Sequence, residues 1–267
     1  SGAVKAVRTQ GKCYSCDSVI IATGGLSYPS TGSTGDGYAF AMQAGHTITA
    51  CVPSLVGIEL CNDVVAAQGI SLKNVSLTAK YNNKLIYEEQ GECLFTHYGI
   101  SGPLVLTLSA LINRLTVREV ELYLDFKPAL DAAQLENRLL RDFAERKNEQ
   151  MKNVMRGLLP AGVIPLVLRA ARVPAEKQAN AVTKEERRRL VSALKMLPLF
   201  PKALRGFQEA VVTAGGVSLK EIDPSSMQSK KIKGMYFCGE VLDCDAFTGG
   251  FNLQIAFCTG HLAGMNA

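Results

Sequence analysis

The alternation of apolar and polar positions changes texture along the chain, and each texture predicts a different kind of element. Residues 3–9 and 12–15 flank a Gln10-Gly11 turn and read as a hairpin. Ser18-Val-Ile-Ile-Ala22 is then a short, continuous apolar run that ends in Thr23-Gly24-Gly25. A β-branched apolar strand that ends in glycines is what a parallel sheet presents at its carboxyl edge, where nucleotides bind. A Gly-, Ser- and Thr-rich loop follows, and residues 36–44 read as a helix. From about residue 52, strand-like pieces at 57–60, 71–81, 84–87 and 120–126 come at the spacing of a β-meander. An apolar helix from Pro103 interrupts them.

Residues 130–197 are helical and charged. Asp131 is placed to cap a helix running through Arg146, and Thr183 with Glu186 forms a capping-box pattern opening a helix over 184–197. The run Lys184-Glu-Glu-Arg-Arg-Arg189 reads as the solvated face of that helix, with a basic binding surface as the alternative. After Pro198 and Pro201 the texture is strand-like again at 209–217. The last segment repeats the opening: a strand over 234–238, a glycine loop and a helix from about Asn252. Two nucleotide-type pieces therefore bracket a foreign middle, with no internal repeat or low-complexity segment.

Composition narrows the classes. The chain has 267 residues, 47% of them hydrophobic and 20% charged, which fits a packed globular protein. Its net charge of +5 comes from scattered Lys and Arg rather than one stripe, which argues against a nucleic-acid partner. The three histidines, His46, His97 and His261, lie far apart, and none stands at metal-ligand spacing. The eight cysteines are diluted over a medium-sized chain and read as reduced thiols of a cytoplasmic protein. Cys13 and Cys16 form a C-x-x-C, but a zinc site needs a second ligand pair, and a thioredoxin-like motif opens a helix rather than a strand. No apolar run approaches the roughly 20 residues of a membrane span, and the first residues lack the pattern of a signal peptide.

The sharpest chemical signal is Met235-Tyr-Phe-Cys-Gly-Glu-Val-Leu-Asp243, followed by Phe247-Thr-Gly-Gly-Phe-Asn-Leu-Gln254. A strand ends at Gly239, the carboxylates Glu240 and Asp243 follow, and Gly249-Gly250 leads into a helix whose first turn carries Asn252, Leu253 and Gln254. Carboxylates at a strand end accept hydrogen bonds from sugar or ribitol hydroxyls, and glycines let backbone amides approach a flat ligand. The helix N-terminus stabilises developing negative charge by about 1 kcal/mol. An ordinary strand–loop–helix junction explains the same residues without a ligand. His97, in Phe95-Thr-His-Tyr-Gly-Ile-Ser-Gly-Pro103, precedes a helix that Pro103 opens with Ser101 or Gly102 as cap. It is a candidate proton donor or substrate contact, weighed against a histidine that only fixes the turn.

The combination of Ala22-Thr-Gly-Gly-Leu-Ser-Tyr-Pro29, Thr34-Gly-Asp-Gly37, Leu94 to Pro103, Val212-Thr-Ala-Gly-Gly-Val217 and Gly239-Glu-Val-Leu-Asp243 with the Gly249-to-Gln254 segment resembles the BaiN-like family of FAD-dependent flavoproteins. The resemblance implies an α/β fold: part of a glutathione-reductase-like FAD-binding domain interrupted by an inserted small β-barrel with a helical subdomain. The expected parts are 1–51 and 209–267 for the FAD-binding domain with a return strand of the barrel, 52–128 for the barrel and 129–208 for the helices. It also implies FAD as cofactor and NAD(P)H as possible electron donor. Cofactor contacts are expected from Ala22, Thr23, Gly24, Gly25, Asp36, Gly239, Glu240, Asp243, Gly249, Gly250, Asn252, Leu253 and Gln254, with Asp243 on the ribitol and 252–254 at the isoalloxazine edge. The activity implied is an oxidoreductase of unknown substrate, whose flavin takes electrons from NAD(P)H or from substrate and passes them to an unsaturated or carbonyl compound or to oxygen. A fumarate-reductase-like dehydrogenase and a non-catalytic flavin- or nucleotide-binding module with a protein partner are the rivals.

The family's G-x-G-x-x-G is missing; Gly32-Ser-Thr-Gly-Asp-Gly37 has the wrong spacing. The expectation is a C-terminal portion whose partner is the N-terminal part of the same protein, with Ser1-Gly2 as a scar of expression.

Overall fold

The computed structural model describes residues 2–267; Ser1, half of the expected scar, lies outside the described residues. Along the chain run β1 (Gly2–Ala3), β2 (Ala6–Thr9), β3 (Lys12–Ser15), β4 (Val19–Ile21), α1 (Asp36–Gln43) and β5 (Ile48–Ser54). Then come β6 (Ile58–Leu60), β7 (Ser71–Tyr81), β8 (Lys84–Phe95), β9 (Gly99–Ser101), α2 (Pro103–Ile112) and β10 (Glu121–Asp125). The helices α3 (Ala132–Glu145), α4 (Met151–Val154), α5 (Ile164–Ala171) and α6 (Lys184–Lys195) precede β11 (Leu197–Leu199) and β12 (Pro201–Leu204). The chain closes with β13 (Val212–Val217), β14 (Ile232–Lys233), β15 (Met235–Phe237) and α7 (Phe251–Asn266). These elements form two compact mixed α/β units, one built from the two chain ends, up to Val56 and from Arg205 onward, the other from Gly57–Leu204.

In the second unit seven strands pair in the order β11-β10-β7-β8-β9-β6-β12, all antiparallel. The β7–β8 hairpin turns on Asn82 and Asn83, both left-handed (φ 51° and 61°), the turn whose twist matches that of the strands it joins. α3 and α6 start where their capping boxes put them. Asp131 accepts the Gln134 N–H at 2.7 Å while Gln134 Oε1 accepts the Asp131 N–H at 3.0 Å. In α6 the reciprocal pair is Thr183 and Glu186. Leu135, Leu139 and Phe143 repeat every four residues and bury one face of α3. α6 stops at Lys195, two residues short of the expected end. Pro198 disfavours a helical Leu197, and residues 197–199 pair with β10 instead. Sheet and helices share one apolar cluster, from Leu77 and Phe95 to Leu139, Leu168 and Leu190.

The first unit is built from short pairs. β4 lies parallel to β15, with Val19 opposite Met235 and Ile21 opposite Phe237, and β1 lies parallel to β14. β5 and β13 pair antiparallel, and β2 with β3 form the expected hairpin. Its core gathers Ile21, Tyr38, Ala41, Val217, Ile222, Phe237, Val241 and Leu242.

α7 buries only Ala263, while Phe251, Leu253, Phe257 and Met265 remain 59–72% exposed. A helix that is apolar on every side is ordinarily an interior element. The isolated chain is therefore expected to self-associate and to bind an apolar dye. Sedimentation at the 28.7 kDa monomer mass without dye binding would contradict this. Among the described residues, no helix is long and apolar enough to cross a membrane, and no group of three His, Cys, Asp or Glu could hold a metal ion.

Candidate functional site at the carboxyl end of the parallel strand pair

The parallel register of β4 and β15 brings their carboxyl ends together, and Cys238 donates its N–H to the Ile21 carbonyl at 3.1 Å. Residues 22–25 and 239–243 therefore leave the sheet side by side. Thr213, from β13, joins them. Its hydroxyl oxygen accepts the N–H groups of Leu26 at 2.8 Å and Ser27 at 3.2 Å, and lies 3.0 Å from the Ser27 hydroxyl. Its own N–H donates to Glu240 Oε1 at 2.8 Å. Gly25 fits because it has no side chain: a Cβ there would lie 2.5 Å from the Thr213 hydroxyl and 2.6 Å from the Glu240 carboxylate. Gly37 is required in the same way, since a Cβ would run into the Thr23 hydroxyl over the first turn of α1.

Two further polar groups belong to this cluster. The Tyr38 hydroxyl is buried, and the Cys51 thiol, a weak hydrogen-bonding group, is its one polar neighbour of that kind among the described residues. Burial first, then the Cys51 thiol and the Glu240 and Asp243 carboxylates, push its pKa above the ordinary phenol value. The Asp243 main chain is held by its N–H to the Val217 carbonyl at 3.0 Å, and its carboxylate is half-buried. A buried phenol whose neighbour is only a thiol and a half-buried carboxylate in one cluster are groups that a ligand's hydroxyls can engage. The donor set fits the ribitol and ring side of a flavin.

The start of α7 is tied to the loop before it. Asn252 Oδ1 accepts the Ala246 N–H at 2.8 Å, and its Nδ2 donates to the Ala246 carbonyl at 2.7 Å. Its amide is thus engaged in clamping the loop before the helix. Gln254 reaches Cys258 Sγ at 3.0 Å, and Leu253 is exposed. Gly249 and Gly250 take left-handed conformations (φ 116° and 89°), and a Cβ at Gly250 would meet nothing. Gly239 donates its N–H to the Thr259 hydroxyl at 3.0 Å. Ala22, Thr23 and Asp36 are exposed, and Gly24 is half-buried. Asp36 sits in the first turn of α1, where its own carboxylate answers the helix dipole.

His97 belongs to the second unit, exposed in the turn between β8 and β9 and edge-on to Tyr98 at 5.0 Å. A strand separates it from α2, and Thr96 fixes the turn by accepting the Gly99 N–H at 3.1 Å. Thr213 and Tyr38 escaped the sequence reading as site residues. Thr213 stood only inside a motif, and Tyr38 lies beside Thr34-Gly-Asp-Gly37 with nothing local to mark its burial.

A second polar cluster in the same unit has the order of a Ser-His-acid triad. His46 Nδ1 is 3.1 Å from Glu221 Oε2 and its Nε2 is 2.8 Å from the Ser229 hydroxyl. Ser229 Oγ already accepts the N–H groups of Lys231 and Ile232 at 3.0 and 2.9 Å, so its proton goes to His46 and its lone pairs are occupied. The cluster holds structure rather than a nucleophile. Burial lowers the His46 pKa despite Glu221, while the Lys231 ammonium and then the Thr47 N–H hold Glu221 at about 2. Both groups bind protons more weakly in the folded chain, so stability rises with pH through each transition. Urea midpoints are expected to fall as pH drops below the ordinary histidine value of 6.5, and again from 4.5 toward 2. In His46→Gln the first step should vanish; its persistence would contradict the assignment.

A family model described as the HI0933-like protein Rossmann domain matches residues 1–266. The 3-dehydro-bile acid delta(4,6)-reductase of Clostridium scindens is 31% identical over 98% of this chain and 64% of its own length. The ribosomal RNA dihydrouridine synthases of Haemophilus influenzae and Escherichia coli are 32% and 30% identical, over 95% and 92% of this chain and 61% and 60% of their own lengths. The chain thus spans about three fifths of the curated relatives it matches. With the strand-end motifs in place and the match running over nearly every residue, the chain belongs to the HI0933-like family, the one its motif combination resembled.

Proposed function

We propose that this chain supplies the ring and ribitol side of an FAD site in an oxidoreductase that reduces a small unsaturated or carbonyl compound with electrons from NAD(P)H. The observation that carries the reading is the half-buried Asp243 carboxylate close to the buried Tyr38 hydroxyl, at the carboxyl end of a parallel strand pair. When bound, the flavin supplies the two-electron chemistry, and the protein's part is binding, orientation and electrostatics. Asp243 accepts ribitol hydroxyls, and Tyr38 donates its strongly held proton to an acceptor on the ligand. Gly239 and Gly250 leave room for a flat ring against the backbone, and the N-terminus of α7 favours negative charge at the ring's edge. Residues 52–208 are read as an insertion in this nucleotide-type fold, its sheet part of a small barrel and its helices a subdomain. The Clostridium relative, by name a reductase, supports the direction of the chemistry.

A second reading for the substrate, a base in RNA, has one structural observation in its favour. Arg141, Lys147, Arg156 and Arg188 on the helical part are all exposed. Phosphate contacts of that kind make binding steeply salt-dependent. The test is anaerobic: protein of the relatives' length is mixed with NADH or NADPH, then with acceptors. Loss of the flavin colour and its return on adding an acceptor is the expected result; no bleaching by either donor would favour a non-catalytic binding module. Salt-sensitive retention of ribosomal RNA fragments would select the second substrate.

A further inference from the structure

Six non-glycine residues among those described hold a left-handed backbone. Asn82 and Asn83 make a hairpin turn and Arg172 ends a helix, where this conformation is ordinary. Leu55 and Met227 are buried, so packing accounts for them. Tyr28 is different: it stands at φ 49°, ψ 61°, and its residue is 49% exposed. Proline follows it, which further restricts its backbone and favours extended conformations.

The loop enforces this conformation from both sides. Tyr28 donates its N–H to the Phe207 carbonyl at 3.0 Å, and its own carbonyl accepts the Thr31 hydroxyl at 2.7 Å and the Thr31 N–H at 2.9 Å. Ser27, just before it, is buried on Thr213, whose N–H rests on Glu240. A turn that served only to turn would take Gly or Asn here without strain. The loop instead holds an aromatic ring outward at a conformational cost, three residues past the Gly25–Glu240 contact. Strain of this kind, fixed by its surroundings, marks a residue kept for contact with something else.

We propose that Tyr28 is the aromatic wall of the strand-end site, a stacking face for a flat conjugated ring of the cofactor or the substrate. The proposal rests on the flavin reading above. It is tested in protein of the relatives' length, reconstituted with FAD, comparing wild type with Tyr28→Gly and Tyr28→Phe. Three quantities are read: the thermal midpoint of the FAD-free form, the fluorescence of bound flavin, and KM for menadione with NADPH as donor.

Tyr28→Gly should leave the thermal midpoint equal to or above wild type, because the glycine relieves the backbone. If the ring partner is the cofactor, flavin fluorescence rises in Tyr28→Gly. If it is the substrate, fluorescence stays and KM for menadione rises about tenfold. Tyr28→Phe should behave as wild type, since the ring is retained. A lower thermal midpoint in Tyr28→Gly would show a structural ring and overturn the proposal. Wild-type fluorescence together with wild-type KM in Tyr28→Gly would overturn it equally. Failure of the flavin reading is seen separately, as wild-type protein that takes up no FAD, and this inference falls with it.

Discussion

Thr213→Val should destabilise the first unit by about 3 kcal/mol, read as a lower urea midpoint at unchanged slope. Valine keeps the shape of threonine at this fully buried position and removes only the hydroxyl. That oxygen accepts two backbone N–H groups, from Leu26 and Ser27, and is the partner of the Ser27 hydroxyl. Each buried donor left without an acceptor costs about 1–3 kcal/mol, and partial relaxation of the loop keeps the total near the lower half of the sum. Thr213→Ser retains the acceptor and should lose about 1 kcal/mol for the missing methyl group. A Thr213→Val midpoint within about 0.5 kcal/mol of wild type would mean that residues 26–27 find other acceptors. The loop would then not be fixed through β13.

Asp243→Ala, in protein of the relatives' length, should weaken FAD binding by roughly 10- to 100-fold. A hydrogen bond from a ligand hydroxyl to a charged acceptor is worth about 1.5–3 kcal/mol, and each 1.4 kcal/mol is a factor of ten. The loop is held by the Asp243 main-chain N–H, which alanine retains, so the thermal midpoint without FAD should stay near wild type. Asp243→Asn keeps an acceptor oxygen without the charge and should fall between the two. The measurement is the flavin that remains on each protein after dialysis. Equal occupancy in Asp243→Ala and wild type would make Asp243 a loop residue only.

The features legible in the sequence are those decided by near neighbours. The Asp131–Gln134 and Thr183–Glu186 boxes, the hairpin at Gln10-Gly11 and the strand ending in Thr23-Gly24-Gly25 are all marked by residues within ten positions of one another. β8 runs on to Phe95 where the pattern stopped it at residue 87, because Glu88, Glu89 and Glu92 are exposed and break the alternation. The contacts that build the site span most of the chain. Leu26 meets Thr213 across 187 positions, and His46 meets Ser229 across 183. No local pattern marks Thr213 as the acceptor for a loop so far away, or Tyr38 as a buried phenol facing two carboxylates. Asn252 shows the converse: its position at a helix start suggests a ligand contact, and the fold engages its amide with the backbone of residue 246.

The most direct test is an experimental structure of protein of the relatives' length with FAD bound. The account predicts the ribitol hydroxyls within hydrogen-bond distance of the Asp243 carboxylate. It also predicts a partner for the Tyr38 hydroxyl and the ring lying over Gly239 and the start of α7. A flavin bound elsewhere, with Asp243 and Tyr38 still without ligand contacts, would contradict it.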